Sequence, residues 1–308
     1  MKTVSVVIPV YYNAGSLPPL FAELQKVEAQ LHERDCTMEL VFVDDGSGDE
    51  SLTELLKIKQ QRPDTRVVKL TRNFGEAHAY KTGLRYATGD CTARLSADLQ
   101  DPPELVTKMT DQWLAGSKFV IAPRESRDDP PVTTLFAATF HWLVRKMISK
   151  DYPKGGFVVT LMDAALVPYI RDSSKNFNTA LLAHSLGYKP AVVPYQRRKR
   201  EHGKSRYTFA KKLTGFVNSI LGFSVLPIRI ISLIGFIISL LSMAYASFIV
   251  IEAILGLRPG LPGFPTLVAF ITFLLGLVII ILGIIGEYLW RIFDEVIRRP
   301  EAVVEEVY

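Results

Sequence analysis

Residues 91–104 read Cys-Thr-Ala-Arg-Leu-Ser-Ala-Asp-Leu-Gln-Asp-Pro-Pro-Glu. The apolar-rich half, Cys91 to Leu95, is a strand signal, Pro102 reads as the start of a helix, and Asp98 falls where the buried strand should end. In open parallel sheets the ligand crevice lies beyond the carboxyl ends of the strands, so an acid there can hold a divalent cation against a phosphate. The competing reading of Asp98 is an ordinary acid before a helix N-terminus, which needs no chemistry.

Working outward, the same strand–loop–helix grammar repeats. Thr3 to Val10 is an almost unbroken β-branched run, the pattern of a strand covered on both faces in a parallel sheet, and it is expected to end at Pro9. A loop over Tyr11 to Ser16 leads to a helix that tolerates Pro18 and Pro19 in its first turn. Met38 to Val43 is the next strand, followed by Asp44-Asp45-Gly46-Ser47 and a helix for which Ser47 to Glu50 has capping-box spacing. Arg66 to Leu70 is a strand, Arg72-Asn73-Phe74-Gly75 a loop, Glu76 to Ala87 a helix, and Lys118 to Ala122 a further strand. The alternation predicts an α/β fold with a doubly wound, Rossmann-like, mostly parallel sheet. Polar loops at one sheet edge then converge on one crevice. Neither G-x-G-x-x-G nor G-x-x-x-x-G-K-[ST] is present, so dinucleotide redox and P-loop chemistry are unsupported. A carboxylate such as Asp45 can accept hydrogen bonds from a base or ribose.

The chain has 308 residues and a formal net charge of +5, yet residues 197–229 alone carry nine Lys and Arg against one Glu. A basic block in one place points to phosphates or an acidic membrane face. Cys36 and Cys91 lack metal-type spacing and read as reduced structural thiols. The N-terminus enters a strand directly, so no signal peptide is expected.

The quoted motifs become specific together. Val6-Val-Ile-Pro-Val-Tyr-Tyr-Asn13, Val43-Asp-Asp-Gly-Ser47, Arg72-Asn-Phe-Gly75 and Ala97-Asp-Leu-Gln-Asp-Pro-Pro-Glu104 occur in order. They resemble the inverting family 2 glycosyltransferases of GT-A fold, in the branch that charges polyprenyl phosphates, which includes dolichyl-phosphate mannose synthase and bacterial undecaprenyl-phosphate glucosyl- and aminoarabinosyl-transferases. The resemblance implies that Pro9, Tyr12 and Asp45 surround the nucleotide and that Asp98 with Gln100 holds Mg2+ or Mn2+. The nucleotide-sugar set it gives is Pro9, Tyr12, Asp44, Asp45, Arg72, Asn73, Ser96 and Asp98. Ser96 departs from the usual Asp-x-Asp, leaving Asp98, Gln100 and the diphosphate to bind the metal.

In the acceptor half, Pro123 to Asp129 reads as a charged loop, with Arg124 and Arg127 as phosphate candidates, and Thr133 to Lys150 as a helix with an apolar face. In Pro153 to Asp163, Val158 stands where the relatives carry the acid proposed as base or acceptor-orienting residue. A phosphate acceptor is largely ionised near neutral pH, so loss of that acid weakens activity without excluding it. Asp163 reads as a helix-start cap. Arg200-Glu-His-Gly-Lys-Ser-Arg-Tyr207 places a glycine between cations, letting the backbone approach a phosphate. It resembles the branch's R-x-x-G-x-S segment, which makes Arg200, Lys204, Ser205 and Arg206 phosphate ligands and adds Arg200 and Lys204 to Asp98 as catalytic candidates. His202 has no paired ligand and reads as a bystander.

Residues 207–229 suit interfacial amphipathic helices. Ile230 to Leu255 runs 26 residues with Glu252 as its one charge, and Thr266 to Leu289 runs 24 with Glu287 alone. At about 1.5 Å per residue either crosses a core of about 30 Å, so two transmembrane helices are expected. Arg229 precedes the first, Arg291, Arg298 and Arg299 follow the second, and the turn between them holds Arg258 alone. That bias places both termini in the cytoplasm of a bacterial inner-membrane, multi-pass protein. The expected layout is a catalytic domain over 1–206, interfacial helices over 207–229, a membrane hairpin over 230–289 and a tail over 290–308, with the part from Glu301 a short extension.

The expected activity is inverting hexose transfer from a nucleotide sugar, UDP-glucose or a related UDP-sugar, to a polyprenyl phosphate. The partners are that donor, the lipid, the membrane and, by resemblance, a homo-tetramer, with no nucleic acid. The alternatives are a catalytically weakened nucleotide-sugar-binding protein, motivated by Val158 and Ser96, and a polysaccharide synthase. The synthase is disfavoured by two spans and by the absence of Q-x-x-R-W.

Overall fold

The computed structural model describes residues 1–125, 142, 145–146, 152–153, 157–174, 179–198, 233–238, 240–241, 244–245, 248, 251, 255, 264–297 and 299–308. The chain forms two compact units, one of Met1–Ile220 with Pro300–Tyr308 and the other of Leu221–Arg299.

In the first unit the strands are β1 (Lys2–Val10), β2 (Cys36–Asp44), β3 (Arg66–Leu70), β4 (Cys91–Arg94), β5 (Phe119–Pro123), β6 (Phe157–Asp163), β7 (Ala191–Val192) and β8 (Val304–Val307). The helices are α1 (Leu17–His32), α2 (Ser51–Gln61), α3 (Glu76–Leu84), α4 (Leu105–Leu114), α5 (Val167–Arg171) and α6 (Thr179–Ser185). The eight strands form one sheet in the order β7-β5-β6-β4-β1-β2-β3-β8. The β4-β1-β2-β3 centre is parallel, and β6 enters antiparallel between β4 and β5.

Burial explains these elements. From Val4 to Val10 every β1 residue is buried, as a two-face strand requires. Val4, Val6 and Ile8 pack with Leu17, Leu20, Leu24 and Leu31 of α1, Leu55 of α2 and Met109 of α4. Each fully buried leucine contributes about 1.5–3 kcal/mol of transfer free energy. The other face is covered by α3, where Gly83 sits so close that a Cβ would press on Val7 and Val43. The strand runs on through Pro9 to Val10, because β4 pairs only with Val4 to Val7 and leaves no ladder position for the missing proline N–H.

Three local expectations are corrected. Ser47 does not cap α2: Glu50 occupies the N-cap with no side-chain bond that caps the helix, and the Ser47 hydroxyl accepts instead from the Tyr12 amide at 3.0 Å. The helix predicted at Pro102 opens at Leu105. Asp163 does accept from the Ala165 amide at 3.1 Å, but its other oxygen takes the Trp113 indole N–H at 2.9 Å, which ties β6 to α4. Cys36 and Cys91 are both buried free thiols.

The C-terminal residues also differ from a simple tail. Residues 304–307 add β8 antiparallel to β3. Glu301 receives the Lys81 ammonium at 2.7 Å, and Lys81, 2% exposed, also donates to the Ser173 carbonyl at 2.5 Å. Breaking a buried pair strands its partner charge. Glu301→Gln should therefore cost about 3 kcal/mol, read as a lowered unfolding midpoint of the full-length protein.

In the second unit α7 spans Phe264–Val296. Its segment Phe273–Val296 is the one helix, among the described residues, long and apolar enough to cross a membrane. Residues 233–238 are helical as well, but half of the first expected span, 230–255, lies outside the described residues. So do the interfacial helices at 207–229 and most of the helix expected over 133–150.

Candidate active site

The carboxyl ends of β1, β2, β3 and β4 bring four loops together. Val10 of β1 accepts from the Asp45 amide at 2.8 Å, so the first two loops start side by side. Tyr12 stands in the left-handed region at φ 57°, held by the Ser47 hydroxyl. Leu99 has φ 58° in the loop after β4. Non-glycine residues in that region are strained by about 1–3 kcal/mol, and such strain gathers where a ligand site has to be shaped. The Ser16 hydroxyl donates to the Ala97 carbonyl at 2.7 Å, joining the α1 entrance to the acid-bearing turn.

Asp45 is buried, and its carboxylate is a hub. It accepts from the Phe74 amide at 2.7 Å, the Gly75 amide at 2.9 Å and the Asn73 Nδ2 at 2.9 Å. Burial pushes its carboxyl up to about 6, against the opposing pull of the Phe74 and Gly75 amides. The residue thus fixes the 72–75 loop. Asp44, 1% exposed, takes the Ser47 amide on Oδ1 at 3.2 Å. Among the described residues its Oδ2 is the one carboxylate oxygen buried without a hydrogen-bond partner. Burial raises this carboxyl too. An orphaned buried acceptor is costly unless a ligand N–H or O–H reaches it.

Gly46 lets the two loops meet. Its φ is 67°, and a Cβ would fall 2.7 Å from both Arg72 Cα and Asn73 N, which are backbone atoms that cannot swing away. Gly46→Ala should destabilise the protein by more than about 2 kcal/mol, as thermal unfolding would register.

Arg72 is exposed and lies over the Phe74 ring at 4.3 Å. Pro9 is buried within β1 opposite Val43, and its side chain carries no polar atom. In the turn after β4, Asp98 Oδ1 accepts from the Gln100 amide at 3.2 Å. Ser96 donates to Asp101 at 2.5 Å. No group of three His, Cys, Asp or Glu side chains is gathered among the described residues. Asp98 and Gln100 bring side-chain oxygens to this turn, the hard donor type that would suit a divalent cation.

Arg124 donates from Nε to the Tyr195 hydroxyl at 3.2 Å and lies 3.8 Å from Asp101. Val158 is half-buried on β6. Arg127, Arg200, Lys204, Ser205 and Arg206 lie outside the described residues. The sequence reading missed Asp101, Tyr195 and Arg197, although an acid directly before Pro-Pro in the same turn as Asp98 was the available signal.

A family model described as glycosyl transferase family 2 matches residues 5–176. An uncharacterised glycosyltransferase of Synechocystis is 36% identical over 307 residues, covering 99% of this chain and 95% of the relative. The undecaprenyl-phosphate 4-deoxy-4-formamido-L-arabinose transferase of Pseudomonas syringae is 31% identical over 315 residues, covering 100% and 91%. Among solved structures, a glucosyl-3-phosphoglycerate synthase from Mycobacterium tuberculosis has a TM-score of 0.49 at 16% identity, covering 70% of this chain and 78% of that one. The loops that converge at the carboxyl edge of this sheet are therefore those of a glycosyltransferase, and the chain belongs to glycosyl transferase family 2.

Proposed function

We propose that the protein transfers a hexose from a nucleotide sugar, UDP-glucose or a related UDP-sugar, to a polyprenyl phosphate at the cytoplasmic membrane face. The observation that carries the donor half is the pairing of two features at one sheet edge: the orphaned Asp44 oxygen beside the Asp45-braced loop, and the Asp98–Gln100 turn. Asp44 suits an N–H or hydroxyl of the nucleoside, while Asp98 and Gln100 suit a cation that neutralises the leaving diphosphate. The acceptor half is supported by full-length similarity to relatives named as undecaprenyl-phosphate transferases and by the apolar length of α7.

On this reading Asp45 and Asn73 keep the nucleoside side rigid, and Arg200, Lys204 and Arg206 hold the phosphates. The ionised acceptor oxygen attacks the anomeric carbon in line with the departing diphosphate, without a strong base. Arg124 and Arg127 are placed on the acceptor side, with both termini in the cytoplasm and a homo-oligomer as the assembly.

Val158, apolar where the relatives carry an acid, favours one second reading: a protein that binds the nucleotide sugar and transfers it poorly. The test measures lipid-linked sugar formation by wild type and by Val158→Asp. The proposal expects transfer by the wild type and faster transfer by the variant. Nucleotide binding by both with transfer by neither would establish the binding-protein reading instead.

A further inference from the structure

Asp101 is wholly buried, yet no role in sugar transfer has so far been given to it. Both of its oxygens are committed. Oδ2 receives the Ser96 hydroxyl at 2.5 Å, and Oδ1 receives the Tyr195 hydroxyl at 2.5 Å. Arg124 Nη2 and Arg197 Nε each stand 3.8 Å from Oδ1. A buried carboxylate needs such partners, since an isolated one is strongly disfavoured. Wholly buried and accepting a protein hydroxyl on each oxygen, Asp101 exposes no surface to a bound ion.

The partners come from three separate stretches. Ser96 starts the turn that carries Asp98 and Gln100. Arg124 follows β5. Tyr195 and Arg197 follow β7 and lead into the basic segment that reaches Arg200, Lys204 and Arg206. Backbone bonds run parallel to this link: the Arg198 amide donates to the Gln100 carbonyl at 2.9 Å, the Glu125 amide to the Tyr195 carbonyl at 3.0 Å, and the Tyr195 amide to the Pro123 carbonyl at 3.1 Å. Arg198 also pairs with Glu104 at 2.9 Å. The turn proposed to hold the cation and the start of the phosphate-binding segment therefore share one buried anion.

We infer that Asp101 is a positioning residue that ties the Asp98–Gln100 turn to residues 195–198, where the basic segment begins, and so holds the cation donors in place. This rests on the reading of the Asp98–Gln100 turn as the cation side of a nucleotide-diphosphate site. Ser96 acquires a reason as well. A hydroxyl at this position donates to Asp101, whereas an aspartate would set a second carboxylate against a buried one.

The experiment titrates MnCl2 into full-length protein in lipid nanodiscs and follows UDP binding calorimetrically, for wild type, Asp101→Asn, Tyr195→Phe and the double variant. Glu301→Gln serves as a control that lowers stability away from the site. The inference expects Asp101→Asn to raise the Mn2+ concentration for half-maximal UDP binding at least tenfold and Tyr195→Phe at least threefold. The double variant should be no worse than Asp101→Asn alone, and Glu301→Gln should stay within twofold of wild type. Wild-type Mn2+ dependence in Asp101→Asn, or an equal rise in Glu301→Gln, would overturn it. If Asp101→Asn does not fold, Tyr195→Phe, which removes a single oxygen, decides the matter by the same threshold. Failure of wild type itself to bind UDP with Mn2+ would remove the donor-site reading and this inference together; normal wild-type binding with unaffected variants would remove the inference alone.

Discussion

Asp98→Ala is expected to reduce sugar transfer by about 10²- to 10³-fold, the scale of losing one strong electrostatic contact to a developing charge. The argument turns on what else lies in the turn after β4. Asp101 is consumed by Ser96 and Tyr195, Ser96 has no charge, and Gln100 brings a neutral oxygen. The proposed cation site therefore rests its charge on Asp98. Its Oδ1 also accepts the Gln100 amide at 3.2 Å, which is the local role a simple turn or cap acid would play. Asp98→Asn separates the two roles, because asparagine preserves that bond and removes the charge. A metal ligand predicts that the asparagine variant is nearly as defective as the alanine one, and that chelator silences the wild type. Near wild-type rates in Asp98→Asn would return Asp98 to a structural role.

The second large effect is expected at Asp45. Asp45→Ala leaves the Phe74 and Gly75 amides and the Asn73 side chain without their acceptor. Each unsatisfied donor costs about 1–3 kcal/mol, so stability should fall by about 3 kcal/mol or more and nucleotide affinity by at least about tenfold. A pH signature accompanies this. The carboxyl, pushed up to about 6 by burial from its ordinary value of 3.8, holds its proton more tightly folded than unfolded. Its contribution to stability is therefore fully present below about pH 4 and is lost as pH rises through about 6, amounting to at most about 3 kcal/mol. Measured against Asp45→Asn, which does not titrate, wild type should lose relative stability between pH 4 and pH 6.5 and then level off. A difference that grows in favour of wild type over that window would contradict the burial argument.

The central strands were legible because their burial is two-sided. Thr3 to Val10 and Met38 to Val43 carry nearly continuous apolar runs, interrupted by Ser5 and Glu39, that no half-exposed strand or amphipathic helix would need. Asp45 and Asp98 were legible for a related reason: acids within three residues of the end of a predicted buried strand must sit at the sheet's carboxyl edge. The antiparallel entry of β6 between β4 and β5 was not legible, since strand order is decided by tertiary contact and leaves no mark in Phe157 to Asp163 itself. Nor was β8, whose Val-Glu-Glu-Val is short, charged and stabilised by pairing with β3 rather than by its own pattern. Within the site, Ser47 was misread because its spacing to Glu50 satisfies a capping rule while its hydroxyl is taken by Tyr12, 35 residues away in sequence. Asp45 was read as a nucleotide contact, whereas its visible work is to brace the Arg72–Gly75 loop, leaving Asp44 with the free oxygen. Asp101 looked like part of an Asp-Pro-Pro turn, and only the approach of Tyr195, 94 residues on, reveals its connections.

The most direct test of the central claim is incorporation of labelled sugar into lipid by purified full-length protein. A panel of nucleotide sugars is supplied with Mn2+ and either undecaprenyl phosphate or undecaprenol. The account predicts a labelled lipid product from at least one UDP-sugar with the phosphate acceptor, none with the alcohol, and none from Asp98→Ala. Equal labelling of the alcohol, or no lipid product from any donor while the nucleotide still binds, would contradict it.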